Sequence, residues 1–334
     1  MPLLGPLAIV YVVWGSTYLA LKVAVEHLPP LTLSAVRFLV AGLLLYTWCA
    51  WRRRRRPDRG WRRPTRAQWR AGLVQGLLLP AAGTGGATWA EQEISSGTAA
   101  LLLATIPLWM VLGTRIVDRE RISAPVAVGL VAGIAGVGVL VNPFSGTAPD
   151  PLAAAVALGG AMCWGLGSVY GRHAAHPEQP LLASAVEMIC AGAALAVLGG
   201  LGGEFARIDL SADVTGSLLA VGYLIVFGSL LAYSAYEWLL RHAPARVAGT
   251  YAFVNPVVAV LLGWWLLDEP LGGRTVLAGL VIAGAVALIV LPGRPTAGSR
   301  RPELRRDRRD PIFRLRERAP MGEHRCSSDR SGRQ

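Results

Sequence analysis

Ser34-Ala35-Val36-Arg37, set beside Ser184-Ala185-Val186-Glu187, decides the fold. The two stretches lie 150 residues apart, and other pairs keep the same offset. Trp14-Gly15 recurs as Trp164-Gly165, Pro30 as Pro180, Ala41-Gly42 as Ala191-Gly192, and Gly129-Leu130-Val131 as Gly279-Leu280-Val281. So long a period is a duplicated half rather than a solenoid repeat. Inside the matching apolar runs one charge is reversed, Arg37 against Glu187, which predicts a functional seam between the halves.

The apolar runs themselves set the solvent. Hydrophobic residues make up 53% of the 334, charged residues only 16%, and mean hydropathy is +0.44. A soluble chain of this size interleaves charges along amphipathic helices. Here the charges cluster, leaving stretches of roughly 17–25 residues that can each cross a ~30 Å apolar core. Long runs without strict alternation mean helices, because each segment must satisfy its own backbone in lipid. The expected fold is an all-α polytopic membrane protein with ten transmembrane helices. Their expected spans are 6–25, 31–51, 69–89, 97–117, 124–141, 151–171, 180–200, 215–237, 247–267 and 272–291. The connections are too short for a soluble catalytic domain. The N-terminus lacks a basic region, so no cleavable signal is expected. Cys49, Cys163, Cys190 and Cys326 show neither metal-ligand spacing nor a disulfide framework and read as small buried or tail residues.

Basic residues set the orientation. With a cytoplasmic N-terminus, 29 of the 33 Lys+Arg fall inside, ten of them in Arg52–Arg70 and thirteen in 292–334. Arg207 and Arg274 alone fall outside, so both termini are expected in the cytoplasm. The net charge of +12 then reports membrane orientation rather than nucleic-acid binding. Residues 292–334 are polar and Arg-rich, the pattern of a disordered cytoplasmic tail, solvated or resting on anionic lipid.

Five helices per half is odd, so the second copy enters the membrane from the opposite face. The expected domains are a first repeat, 6–142, and a second, 151–291, related by a pseudo-two-fold axis in the membrane plane. Rocking such halves exposes one site to each face in turn. Gly129, Gly133 and Gly136 form a small-residue packing face. Pro107 and Pro256 sit near mid-span and free carbonyls there, either as simple kinks or as part of a cavity wall. Tyr251 and Asn255 add polar groups beside Pro256.

Charges within spans cost roughly 2.5–3.5 kcal/mol each and need a reason. Glu187, seven residues into the seventh span, is the leading candidate, since a buried carboxylate can cycle protons; structural pairing is the alternative. Arg37 either snorkels or holds an anionic group. Lys22, the only lysine, reads as an interfacial residue with Glu26 one turn on. Glu91 and Glu93 close the third span, and Glu237 and Arg241 are spaced as an i, i+4 pair. Trp14, Ser16, Tyr18 and Trp164 line a cavity or pack helices. His173, His176 and His242 fall in loops and form no metal set.

Taken together, Trp14-Gly15-Ser16-Thr17-Tyr18, Pro29-Pro30, Arg37-Phe38, Ala90-Glu91, Ser96-Gly97, Pro107-Leu108, Phe227-Gly228-Ser229, Asn255-Pro256 and Asp268-Glu269-Pro270 resemble the EamA branch of the drug/metabolite transporter superfamily. Gly167-Ser168-Val169-Tyr170-Gly171 and Ala185-Val186-Glu187-Met188 are similar to its YedA-type inner-membrane exporter group. The resemblance runs from about residue 6 to 291. It implies two five-helix repeats and efflux of small metabolites, amino acids or drugs across the inner membrane. Asp118-Arg119-Glu120 departs from the usual Gly-Glu, unlike Asp268-Glu269. The expected partners are a small-molecule substrate, the bilayer and protons as a coupling ion, with a homodimer open and no nucleic acid. No cofactor or metal is expected. No Walker motif or serine elbow is present, so neither ATP-driven pumping nor an intramembrane enzyme is supported, and uptake or exchange is the alternative to export.

Overall fold

The computed structural model describes residues 3–55, 62–117, 119, 122–141, 149–208, 213–242 and 251–290. Among these, secondary structure is helical throughout. The helices are α1 (Leu4–Val25), α2 (Pro30–Arg55), α3 (66–90), α4 (Ser96–Val117), α5 (Ala124–Val141), α6 (Pro151–Gly171), α7 (Pro180–Leu201), α8 (215–242), α9 (Tyr251–Leu266) and α10 (Gly273–Val290). By length and composition α1, α2, α4, α6, α7 and α8 can each cross a membrane; α5, α9 and α10 are shorter apolar helices. The expected tail, Glu120, Cys326, residues 247–250 of the ninth expected span and the Arg241 side chain lie outside the described residues.

Local chemistry starts these helices. Thr65 and Gln68 form a capping box at α3, Ser95 caps α4, and Asp150 accepts from the Ala153 amide at 2.7 Å ahead of Pro151 in α6. The two prolines singled out in the sequence differ. Pro107 follows a break at Ala104–Thr105, where Thr105 turns its hydroxyl back onto the Leu102 carbonyl at 2.6 Å; Pro256 lies within an unbroken α9. The difference fits the local backbone, since in α4 hydroxyl and turn bonds take over carbonyls that the ladder loses. Hydropathy did not foretell the π-helical stretches Val10–Trp14 in α1, Leu77–Gly85 in α3 and Leu224–Tyr233 in α8.

The repeat is written into the packing. α2 and α7, the mates carrying Arg37 and Glu187, make the most extensive helix pair, and α5 packs on α10 in the same way. A Cβ on Gly42 would strike Ile189, and one on Gly192 would strike Leu39. Gly42 and Gly192 are repeat mates, as are Leu39 and Ile189, so the contact is self-complementary. Gly199 faces Thr32 further along. Numbers fall on α2 as they rise on α7, so the mates run antiparallel. Other contacts also map onto each other when the halves are exchanged: α1 with α8 and α6 with α3, α1 with α9 and α6 with α4. Each half also has a left-handed residue after its fourth helix, Arg119 at φ 54° and Asp268 at φ 52°.

Outward faces are apolar. Val131, Ile134, Leu201, Leu219, Trp265 and Leu280 are all more than two-thirds exposed, which is costly in water and neutral in lipid. At the end of α2, the Trp48 and Trp51 rings pack tilted against each other at 5.2 Å, and Arg55 lies over the Trp51 ring at 4.6 Å, the chemistry of a membrane interface.

Candidate functional site

At the centre the two halves meet through their tryptophans. Trp14 and its mate Trp164 stand perpendicular, ring centroids 5.9 Å apart. Tyr236, Tyr251 and Tyr233 complete a cage around Trp14, at 4.8, 5.3 and 6.3 Å. The Trp14 indole donates to the Gly228 carbonyl at 3.2 Å, within the π stretch of α8. Such stretches recur at functional sites because an offset register re-aims backbone groups.

This cage bounds a cavity of about 60 Å³, lined also by Thr17, Tyr18, Arg37, Phe38 and Asn255. That is far below the ~300–1,000 Å³ of ordinary small-molecule pockets, so the centre is constricted in this conformation. The Arg37 Nε donates to Ser229 Oγ at 2.9 Å, while its buried Nη1 and the buried Oδ1 of Asn255 have no hydrogen-bond partner. One donor and one acceptor are therefore left for whatever occupies the cavity.

Beyond Arg37 lies Glu91, fully buried, with both carboxylate oxygens free of hydrogen bonds. Lys22 is the nearby cation. It does not reach Glu26 as the sequence led us to expect. Its ammonium donates instead to the carbonyls of Glu91, at 2.6 Å, and Ile94, at 3.1 Å. The end of α3 leaves those carbonyls unbonded, and a compact three-donor ammonium suits them. The same end is tied by two further carboxylates, Glu269 of the Asp268-Glu269-Pro270 motif and Glu204, neither singled out as a site residue from sequence. Glu269 accepts from the Ser96 amide and hydroxyl, both at 2.8 Å, at the start of α4. Glu204 accepts from the Thr32 amide at 2.8 Å and hydroxyl at 3.0 Å, at the start of α2. Each links a loop of the second half to a helix N-terminus of the first, where unsatisfied amides favour an anion.

Glu187 lies at the opposite end, 1% exposed. Tyr233 donates its hydroxyl to Oε2 at 2.8 Å, and His176 Nδ1 stands 3.9 Å from Oε1. Beside it opens a second, larger cavity of about 500 Å³, lined by Gln75, Ser168, Arg172, His176, Glu178 and Glu237 among others. Arg37 and Glu187 do not meet. Each is held by α8, on Ser229 and on Tyr233 respectively, four residues apart.

The repeats, the central cage and the apolar exterior describe a two-half membrane carrier, and the sequence profile of the EamA-like transporter family matches residues 4–142 and 151–291. The chain belongs to that family. This EamA-family transporter is 39% identical over 294 residues to the uncharacterized inner membrane transporter YedA of Escherichia coli (strain K12), covering 87% of this chain and 91% of YedA. It is 25% identical over 276 residues to the uncharacterized transporter YvbV of Bacillus subtilis (strain 168), covering 83% of this chain and 87% of that one. One solved protein structure superposes with a TM-score of 0.60 at 21% identity, covering 86% of this chain and 97% of that one, which bears on the fold alone. The chain is a multi-pass inner-membrane transporter.

Of the EamA transporter's sequence-expected site residues, the structure brings Trp14, Tyr18, Arg37, Tyr251 and Asn255 to the central cavity, with Glu91 and Glu187 buried beyond its two ends. Ser16 is turned away: its hydroxyl bonds the Val13 carbonyl at 2.8 Å and Tyr223 Oη at 2.6 Å. Residues two apart on a helix face different sides, so Ser16 cannot share the wall built by Trp14 and Tyr18. Among the described residues Cys49, Cys163 and Cys190 are free thiols. Sequence reading missed Tyr233, Tyr236, Ser229 and His176. The one signal for the His176 loop was the repeat itself, which sets Arg172 opposite Lys22.

Proposed function

We propose that this protein is a secondary-active exporter of small metabolites, amino acids or drugs, working by alternating access between two inverted repeats, 6–142 and 151–291. In this reading α1–α10 all cross the membrane, both termini are cytoplasmic, 292–334 is a cytoplasmic tail, and the Glu187 end faces the cytoplasm. The observation that carries it is the pair of cavities. A constricted centre of about 60 Å³ lies between the two halves, and a cavity of about 500 Å³ opens at the Glu187 end. At the other end Glu204 and Glu269 hold the halves together. Closure at one face with access from the other is what alternating access requires. Trp14, Tyr18, Arg37, Tyr251 and Asn255 form the substrate wall. Glu187 and Glu91 are the buried carboxylates available for proton coupling, and the break before Pro107 and the backbone bond lost at Pro256 within α9 supply flexible points.

Untargeted metabolite profiling of medium from cells overproducing or lacking the protein tests this directly. A compound whose extracellular level follows protein dose supports export. Counterflow in proteoliposomes loaded on either side then fixes direction, and substrate accumulation inside cells would instead favour uptake.

A further inference from the structure

Glu187 touches a lining residue of each cavity: His176, on the wall of the large vestibule, and Tyr233, on the wall of the central cavity. It therefore lies between a wall residue of one cavity and a wall residue of the other. The His176 ring is also oriented. Its Nε2 lies 2.7 Å from the Gly171 carbonyl, which only accepts, so Nε2 carries the hydrogen. Nδ1 is then the free lone pair, and it faces Glu187 Oε1. The loop is pinned there by the Gln68 amide, which donates to the His176 carbonyl at 3.0 Å.

We propose that His176 is the proton-exchange residue between the vestibule and Glu187, and that Tyr233 carries the protonation state of Glu187 to the central cavity. The inference rests on the proton-coupled reading above. Nδ1 accepts a proton from vestibule water; closing about 1 Å brings it within hydrogen-bond reach of Oε1. There the N–H bond breaks, the carboxylic O–H forms, and His176 returns to its neutral tautomer. The reverse path discharges Glu187. While Glu187 is charged, the Tyr233 hydroxyl is committed to Oε2. A protonated Glu187 has less call on that donor, so the hydroxyl can turn to a ligand in the central cavity.

The other charged and titratable groups are arranged around this path. Arg172 and Glu178 flank His176 on its loop, Glu237 lines the vestibule from α8, and Cys190 lies one turn beyond Glu187. On α2, Arg37 is turned to Ser229, and on α3, Arg66 and Arg70 are exposed. His173, on the same loop, bonds the Val169 carbonyl instead.

Infrared spectroscopy of the purified full chain in lipid nanodiscs, through a pH jump, tests the route without a substrate. The wild type should show a protonated-carboxyl band that is absent in Glu187→Gln. His176→Gln should keep the band's amplitude but slow its rise by at least about tenfold. Free imidazole at millimolar concentration should restore the rate in His176→Ala, an effect that a purely structural histidine would not produce. Tyr233→Phe should shift the band's frequency without slowing it. Wild-type rates in His176→Gln, or no band sensitive to Glu187→Gln, would overturn the proposal. Counterflow is scored separately: an intact relay without counterflow refutes the transport reading alone, and counterflow with an unchanged relay refutes this one alone.

Discussion

The two carboxylates that bind helix starts at the Glu91 end set how readily that end opens. Glu204→Gln and Glu269→Gln keep shape and length but remove the charge. A hydrogen bond to a charged group contributes ~1.5–3 kcal/mol and a neutral one about 1, so each substitution costs the closed state about 1 kcal/mol. Glu204 is buried and retains its full effect; Glu269 is half-buried, so screening trims its share. The caps serve different helices, α2 and α4, so their effects should add. Together they weaken closure by roughly 1.4–2 kcal/mol, a ten- to thirtyfold shift in population. The readout is a single cysteine, Thr84→Cys, on the wall of the central cavity, in a background whose native cysteines are replaced. Membrane-impermeant maleimide added to the outer face of whole cells should label it about ten times faster in the double variant than in the parent. An unchanged or slower rate, at equal membrane levels of protein, would show that the caps do not hold the closed state.

Three further outcomes follow from the site and the packing. Glu187→Gln should abolish transport in inverted vesicles while leaving membrane levels unchanged; wild-type flux would remove Glu187 from the mechanism. Arg37→Lys keeps the charge but loses the Nε bond to Ser229, so transport should fall about tenfold, and normal flux would count against a role for the guanidinium. Gly192→Val places a Cβ against the backbone of Leu39 and Ala35 and should cost ~1–3 kcal/mol. Thermal unfolding in detergent should show this as a lowered Tm. Gly284→Ala, which has nothing within 4 Å of the new methyl, should stay near the parent. Equal Tm values for the two variants would mean that the α2–α7 approach is not tight.

The helices and the duplication were legible because lipid imposes both. Apolar length is read directly from sequence, and a repeated approach of mates preserves small residues such as Gly42 and Gly192 at matching positions. Tyr251 and Asn255 were legible as one wall because they are four apart on a helix. Ser16 was misplaced because adjacency along the chain took precedence over the helical face. What stayed hidden were groups whose role depends on the fold's closure. Nothing in the sequence singled out Glu204, Glu269 or His176 as site residues, and only tertiary contact turns them onto α2, α4 and Glu187. The left-handed turns at Gly203 and Asp268, each one residue before its carboxylate, aim Glu204 and Glu269. The π stretches were hidden for a different reason. Their i→i+5 register leaves the apolar composition unchanged.

Arg37 and Glu187 do not meet, yet α8 links them. Ser229 and Tyr233 lie in one π stretch, four residues apart, at most about 6 Å along the axis. Two charges from opposite halves are therefore held by about one turn of a third helix. If that turn moves as a unit, breaking one contact alters the geometry of the other. A double-mutant cycle on transport measures this with Ser229→Ala, Tyr233→Phe and the pair. The side chains they free, Arg37 and Glu187, remain in place in all three variants. A coupling of about 0.5 kcal/mol or more is expected, the lower bound for residues within one connected network. Strict additivity would mean that α8 holds the two charges independently, and that the reversed charge in the repeat serves each half alone.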